Sequence, residues 1–229
     1  MRISLYFFLA CMLFLQAGCS LQQPTNGEAD LAHTVDFYAP SAQAGLKPYF
    51  RRAAMLYPPE QIALLIFKRE KKLELWANNG DAWVFIKTYP VLAVSGGPGP
   101  KLREGDKQVP EGIYKIIELN PHSHFHLSLE LDYPNAFDRQ RAIDDHRYHL
   151  GEDIFIHGDA VSIGCIAVGN KAIEELFVLV YKTGVKQILV IIAPNDLRHA
   201  LPVTGKNRQP RWLPLLYLDI RQTLIQFQR

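Results

Sequence analysis

His157 and Cys165 are the two residues whose types and spacing most clearly suggest chemistry. A cysteine thiol is mostly protonated at neutral pH, whereas the thiolate is the form that attacks carbonyl carbons. An imidazole within hydrogen-bonding reach can accept the thiol proton. A loop of the seven residues between them can bring the two side chains together. We therefore predict that Cys165 is the nucleophile of a cysteine enzyme and that His157 is its general base.

The residues around this pair suit acyl transfer. Gly158 follows the histidine and Gly164 precedes the cysteine, and glycine lets a backbone bend tightly and expose its N–H groups. We expect the N–H groups of Gly164 and Cys165 to form an oxyanion hole. Ser162 either shapes this hole or is a simple turn serine. The alternative for the pair itself is a buried cysteine beside a histidine at a strand end.

Short elements must position the pair. Residues 153–156 predict a strand that leads directly into His157, whose ring we expect a backbone carbonyl to orient. A helix follows the cysteine, with Asn170 as its predicted N-cap and Gly184 at its end. Its apolar stripe is Ile173, Leu176, Phe177 and Val180.

The chain upstream of the pair is mainly β in pattern. The predicted strands cover residues 62–67, a hairpin through Asn79-Gly80-Asp81 into 83–86, 91–95, 112–119 and 125–131, with a later strand at 187–193. The long loop 96–111 is a candidate functional loop. Because strands follow one another without intervening helices, we predict a mainly β fold with a few helices (α+β) and exclude a doubly wound parallel sheet.

The first residues predict export. Ile3 to Leu15 is almost unbroken apolar sequence, which suits a signal-peptide core and is short for a membrane span. Gln16-Ala17-Gly18-Cys19 resembles the bacterial lipobox, so Cys19 is the predicted lipidation site. An ordinary cleaved signal is the alternative. Ser20 after the cysteine favours an outer-membrane lipoprotein that faces the periplasm, held to the membrane by its lipid anchor.

Three cysteines are present, and two of them fall in this leader: Cys11 and Cys19. Cys165 is then a lone thiol in an oxidising compartment, which makes it a candidate reactive group. The chain has 25 Lys and Arg against 23 Asp and Glu. There is no basic excess that would indicate a nucleic-acid partner.

The composition, 48% hydrophobic and 21% charged in 229 residues, indicates a folded protein with a sizeable core. We predict the following segments: a signal peptide (1–18), a lipid-anchored linker (19–40), an N-terminal helical segment (41–60), a catalytic domain (61–195) and a C-terminal extension (196–229) that is helical from about Pro214.

Several motifs together resemble the L,D-transpeptidase catalytic domain, the YkuD family, and especially its YafK-like branch. The similar stretches are His157-Gly158, Ser162 to Cys165, Gly99 to Asp106, Pro110 to Tyr114, and Leu127-Ser128 through Tyr133-Pro134-Asn135. Two positions depart from the broad family: Ile163 replaces a motif histidine, and Ala167 stands where arginine is common. The short spacing from His157 to Cys165 resembles the YafK-like branch.

The resemblance implies a YkuD-like β-sandwich or barrel and a reaction on peptidoglycan stem peptides, without a cofactor. Cys165 would attack the diaminopimelate–D-alanine bond and form a thioester. An amine acceptor would complete a transpeptidation, whereas water would make the enzyme a hydrolase. YafK-like relatives are linked with cutting peptidoglycan attachments, so cross-links or bonds to envelope lipoproteins are an alternative substrate. A non-catalytic peptidoglycan-binding lipoprotein is a further alternative.

Four residues are candidates for binding substrate. Lys101 and Arg103 lie in the long loop and could meet substrate carboxylates, or they could be solvated loop charges. Tyr133 and Asn135 could line the cleft or merely form a turn.

Three histidines provide a rival interpretation. His122, His124 and His126 alternate at the predicted start of a strand and would share one face. Three imidazoles on one face suggest a zinc site and a metal-dependent amidase, whereas a polar solvent face explains the same pattern. Further candidate ligands are Asp132, His146 and His149. We predict no metal site.

Overall fold

The computed structural model describes residues 26–205 and 209–229. Among these residues, nine strands form one sheet and there are four α-helices. The strands are β1 (Gln61–Phe67), β2 (Lys72–Asn78), β3 (Val84–Pro90), β4 (Ala93–Val94), β5 (Gly112–Asn120), β6 (Ser128–Leu131), β7 (Phe155–His157), β8 (Ile166–Ala167) and β9 (Ile188–Ala193). The helices are α1 (Asn26–Arg52), α2 (Ala136–Asp144), α3 (Asn170–Thr183) and α4 (Leu213–Leu224).

The sheet has the strand order β3-β2-β1-β9-β5-β6-β7-β8-β4. Only the pairs β1–β9 and β7–β8 are parallel among the described strands. The predicted mainly β, α+β fold is therefore confirmed. β4 and β6 are shorter than the predicted strands 91–95 and 125–131.

The sequence of β1 is apolar without interruption because both faces of this strand are covered. Ile62, Leu64 and Ile66 join a core that includes α1 and α3, whereas Ala63, Leu65 and Phe67 join a second core with α4. Side chains alternate across a strand, so a strand between two cores is apolar at every position.

The helical prediction for the C-terminal extension is confirmed by α4.

α1 begins at Asn26, so the prediction of a polar linker is wrong for residues 26–40. Pro40 and Pro48 lie inside this helix, and interior prolines normally end or kink a helix. Burial against the rest of the protein outweighs that preference. The buried stripe that does so is Val35, Ala39, Ala42, Leu46 and Phe50.

The predicted signal peptide 1–18 and the predicted lipidation site Cys19 lie outside the described residues. Within the two described ranges, no helix is both long enough and apolar enough to cross a bilayer.

Candidate active site

Two neighbouring parallel strands carry the predicted catalytic pair. β7 ends at His157, and β8 begins directly after Cys165. His157 lies opposite Ala167, two residues beyond Cys165. Strand side chains alternate with a period of two, so this register, continued back by two residues from Ala167, would put Cys165 on the face of the strand pair that carries His157. The short spacing from histidine to cysteine thus becomes a short crossover between adjacent strands.

The His157 ring is buried and oriented by the backbone. Only 2% of the residue is exposed. Its Nδ1 lies 2.6 Å from the carbonyl oxygen of Gly158, and its ring centroid is 4.6 Å from that of Phe125. A carbonyl oxygen can only accept, so Nδ1 carries the proton and Nε2 is the basic nitrogen. Burial lowers the pKa of His157, which favours the neutral imidazole that a general base requires.

The Cys165 thiol is partly buried and faces a different partner. It donates to the carbonyl oxygen of Asp153 at 3.7 Å, and no hydrogen bond joins it to His157 in the described structure. Burial raises the pKa of Cys165, and the carboxylate of Asp153 raises it further. The backbone N–H of Phe155 and the ammonium of Lys101 oppose that rise in pKa. Both pKa shifts favour the uncharged forms of the pair, a neutral thiol and a neutral imidazole.

Ser162 organises the loop that carries the thiol. Its Oγ donates to the carbonyl oxygen of Cys165 at 2.6 Å and accepts from the backbone N–H of Ser95 at 3.1 Å. The Oγ of Ser95 lies 2.9 Å from it. These contacts fasten the loop to the segment after β4. Of the two interpretations of this serine, the geometry favours the shaping role.

Both glycines of the motif occupy positions that exclude a side chain. Gly164 has φ +136°, a backbone conformation that favours glycine. A Cβ at Gly158 would lie 2.6 Å from the carbonyl oxygen of Phe125. The N–H of Gly164 faces Ser162 Oγ at 3.5 Å. The oxyanion hole at Gly164 and Cys165 stays a prediction.

Cys165 opens onto a cavity of about 870 Å³. This volume suits a small peptide ligand. The wall mixes charges of both signs, with the basic side chains Lys101, Arg139 and Arg147 and the acidic side chains Glu104, Glu152 and Asp153. Apolar side chains at its rim include Phe125, Ile143, Tyr148 and Ile163.

Of the two cationic side chains predicted to bind substrate, one lines the cavity and the other does not. Lys101 lines the cavity, where its Nζ donates to Asp106 Oδ1 at 2.8 Å and to the carbonyl oxygen of Arg103 at 3.0 Å. Three backbone N–H groups also bind the Asp106 carboxylate, at Leu102, Arg103 and Gln108. The Arg103 side chain is exposed and is not among the cavity residues.

Tyr133 and Asn135 build the turn before α2 and do not line the cavity. Asn135 is the N-cap of α2, with its Oδ1 accepting from the N–H groups of Phe137 and Asp138. Its Nδ2 donates to the carbonyl oxygen of Ile113. Tyr133 is buried, and its hydroxyl lies 3.3 Å from Leu150 O. Of the two interpretations of these residues, the geometry favours the turn, because their polar groups already bond within the protein.

One segment of the cavity wall, residues 146–153, was not predicted from the sequence. Residues 146–153 show no periodicity, yet Arg147, Glu152 and Asp153 line the cavity. Arg147 Nη1 donates to the carbonyl oxygen of Leu102 at 2.7 Å, which joins this segment to the long loop. No local signal marks these residues, because the contact connects positions that are distant in the chain.

The alternating histidines His122, His124 and His126 do not lie on one face of a strand. Residues 121–127 are a loop between β5 and β6. His122 pairs with Asp30 of α1, whereas His126 Nε2 lies 2.8 Å from Glu174 Oε1 of α3. The prediction of a shared face is therefore wrong. Within the described residues, no group of three His, Cys, Asp or Glu side chains is arranged to hold a metal ion.

Comparison with known families gives a match over the same region. The sequence model of the L,D-transpeptidase catalytic domain family (YkuD) matches residues 61–192. A protein of Escherichia coli strain K12 named "Putative L,D-transpeptidase YafK" is 39% identical over 118 residues, which are 51% of this chain and 46% of that protein. The chain therefore matches about half the length of this curated relative.

Solved structures also resemble the chain. The helical cell shape determining protein Pgp2 from Campylobacter jejuni has 21% sequence identity and a TM-score of 0.49, with 63% of this chain and 50% of Pgp2 covered. Bd1075 from Bdellovibrio bacteriovorus has 22% identity and a TM-score of 0.44, with 75% and 57% covered.

Proposed function

Because the chain belongs to the L,D-transpeptidase catalytic domain family, we propose that it is a cysteine acyltransferase that acts on peptidoglycan stem peptides. Cys165 is the nucleophile, and His157 is the general base. The observation that supports this proposal is the parallel pairing of β7, which ends at His157, with β8, which begins directly after Cys165. Cys165 opens onto the cavity, and His157 Nδ1 is already bonded to a backbone carbonyl.

The first half-reaction begins from the neutral pair. The thiol turns from the carbonyl of Asp153 toward His157, since catalytic hydrogen bonds are often long or misaligned before substrate binds. His157 Nε2 takes the thiol proton while Sγ attacks the carbonyl carbon of the diaminopimelate–D-alanine bond. The imidazolium then gives this proton to the leaving amine. The C–N bond breaks, and a thioester on Cys165 remains.

The second half-reaction depends on the acceptor. An amine of a second stem peptide attacks the thioester, loses a proton to His157 and forms a new amide, and the thiol is restored. Water in place of the amine makes the reaction a hydrolysis of cross-links or of lipoprotein attachments. The acyl-enzyme is common to both outcomes.

The side chains of the cavity wall suit a substrate that carries both positive and negative groups. Stem peptides containing diaminopimelate have carboxylates and an amine. The wall offers the cations Arg139 and Arg147 and the carboxylates Glu104 and Glu152. Charges of opposite sign can orient such a peptide along the cavity, because complementary charge favours one register over others.

The predicted leader completes the proposal. Lipidation at Cys19 would hold the enzyme at the outer membrane, facing the periplasm, within reach of peptidoglycan and of lipoproteins attached to it. In this arrangement the membrane contact is a lipid anchor. Peptidoglycan stem peptides are the substrate, and envelope lipoproteins are partners of the hydrolytic alternative.

Mass spectrometry of muropeptides tests the nucleophile and the acceptor together. Protein without residues 1–18 and with Cys19→Ser is incubated with muropeptides, beside the same protein carrying Cys165→Ala. We expect an acyl group on Cys165 and new cross-linked or exchanged species for the parent protein. Loss of the nucleophile lowers turnover by roughly a thousandfold or more.

The products decide between the alternatives. Shortened peptides without new bonds identify a hydrolase. Equal turnover by the parent protein and Cys165→Ala contradicts the proposed nucleophile. Peptidoglycan binding without turnover by either protein favours the non-catalytic alternative.

A further inference from the structure

One peptide unit connects Asn170 to the catalytic histidine. This unit joins Gly158 to Asp159. Its carbonyl oxygen lies 2.6 Å from His157 Nδ1, and its N–H donates to Asn170 Oδ1 at 2.7 Å. A peptide unit is planar, so a partner that holds the N–H also sets the direction of the carbonyl. We propose that Asn170 is a positioning residue that keeps the His157 ring in its reactive orientation through this peptide.

The turn at this peptide depends on support from outside. Asp159 has φ +60°, an uncommon conformation for a residue with a side chain. Such a conformation persists where the surrounding contacts determine it. Gly158 is enclosed, because an added Cβ would lie 2.6 Å from Phe125 O and 2.7 Å from Asn170 Oδ1. The Gly158 N–H donates to Leu127 O at 3.2 Å. Asn170 is the side chain that holds the other half of the turn.

Asn170 performs this role instead of the predicted helix cap. Gly169 is the N-cap of α3 and makes no side-chain cap bond. The prediction that Asn170 caps α3 is therefore wrong, because its amide oxygen is directed to the Asp159 N–H. The helix beneath it is anchored by the buried residues Ile173 and Leu176. A side chain on a packed helix is a rigid support for a catalytic group.

The chemical consequence is the choice of tautomer. While the Gly158 carbonyl faces Nδ1, the proton stays on Nδ1 and Nε2 can accept the thiol proton. If the peptide rotates, Nδ1 loses its acceptor in a buried position. The Nε2–H tautomer then becomes populated, and this form cannot act as a base at Nε2. Hydrogen bonds in series also polarise one another, so the contact at Asn170 strengthens the contact at Nδ1.

The test measures the tautomer of His157 directly. Full-length protein in detergent is labelled with ¹⁵N-histidine, and His157 is assigned by comparison with His157→Gln. We expect the parent protein to show Nδ1–H and Asn170→Ala to show Nε2–H in a large fraction of molecules. Asn170→Asp keeps an oxygen acceptor at the same place and should retain Nδ1–H. Asn78→Ala is the matched control, because it removes a similar contact to the Gly80 N–H in a distant hairpin.

Kinetics provide the second measurement, and they rest on the proposed function. Asn170→Ala should lower kcat by roughly 10- to 100-fold, as a misplaced catalytic group does. KM should change less than twofold, because Asn170 is not among the cavity residues. Asn170→Asp should recover most of kcat. A merely structural role would move stability without changing the tautomer.

An unchanged Nδ1–H signal in Asn170→Ala overturns the proposal. If that variant does not fold, Asn170→Gln shifts the amide oxygen by one methylene and must show the same change of tautomer. The spectrum needs no substrate. If Asn170→Ala changes the tautomer but the parent protein turns over no muropeptide, this inference is supported and the proposed function is contradicted.

Discussion

Two loops contribute to the cavity wall, and they are held in different ways. The nucleophile loop, residues 158–165, is fastened by neutral hydrogen bonds: Ser162 Oγ donates to Cys165 O, and Asn170 Oδ1 accepts from the Asp159 N–H. The long loop, residues 96–111, is fastened by ion pairs with little solvent access. Lys68 pairs with Glu111 at 3.0 Å, and Lys101 pairs with Asp106 at 2.8 Å.

The difference follows from what each loop must do. A full charge against the thiol or imidazole would shift its pKa strongly, whereas a neutral dipole orients the group with less effect on proton transfer. The long loop supplies none of the proposed proton-transfer groups, so it can use buried charges for rigidity. Breaking one partner of a buried pair costs much more than losing a neutral hydrogen bond.

The largest expected effect is on stability, from Lys68→Met. This change leaves the Glu111 carboxylate buried with hydrogen bonds from Gly99 N–H and Tyr217 OH but without its ammonium. An unpaired buried charge lowers the free energy of unfolding by about 3–5 kcal/mol. Urea denaturation measures the loss. Lys115→Met removes an exposed lysine and should change stability by less than about 0.5 kcal/mol.

The double variant Lys68→Met/Glu111→Gln should recover part of this loss, because it removes the unpaired charge. If Lys68→Met has the same unfolding free energy as Lys115→Met, the long loop is not held by its ion pairs.

The second effect is on catalysis, from Ser162→Ala. Loss of the contacts to Cys165 O and Ser95 N frees the nucleophile loop, so kcat should fall by roughly 10- to 100-fold. Stability should fall by only about 1 kcal/mol. Steady-state kinetics and urea denaturation measure the two quantities. Ser41→Ala removes a hydroxyl contact on α1 and should leave kcat unchanged. Equal kcat values in both variants would contradict the shaping role of Ser162.

A smaller effect concerns the pH dependence of thiol alkylation. The Lys101 ammonium lowers the pKa of Cys165, so Lys101→Met should raise this pKa and slow alkylation at pH 7 by roughly two- to tenfold. Iodoacetamide rates between pH 6 and about 10 follow the thiolate fraction. The inflection should move to higher pH in Lys101→Met.

Asp106→Asn is the opposing variant. It removes the carboxylate that neutralises Lys101 and should move the alkylation inflection to lower pH. Shifts in the same direction for both variants would show that loop distortion, and not charge, affects the thiol.

The smallest expected effect is from Asn135→Ala. Loss of the α2 cap lowers the free energy of unfolding by about 1 kcal/mol, and Asn135→Ser should restore much of it. The KM for muropeptides should change less than twofold. A fivefold rise in KM would place Asn135 in substrate contact and contradict its assignment to the turn.

Three elements could be predicted because their signals are local. The strand before His157, the helix of residues 170–183 and the hairpin at Gly80 each follow from spacing within a few residues. α1 could not be predicted over its first half, because the polar composition and Pro40 argued against a helix. Its stability comes from burial against α3, which no local pattern contains.

The sequence by itself determined which residues are available for chemistry: one cysteine after the leader, a histidine eight positions before it, and two glycines where the backbone must bend. Tertiary structure decided what surrounds them. It assigned Asn135 to a helix cap and Asn170 to the turn after His157, although an asparagine suits both roles. The physical reason is that hydrogen-bond partners distant in sequence, such as Leu102 and Arg147, meet only when the sheet brings their loops together.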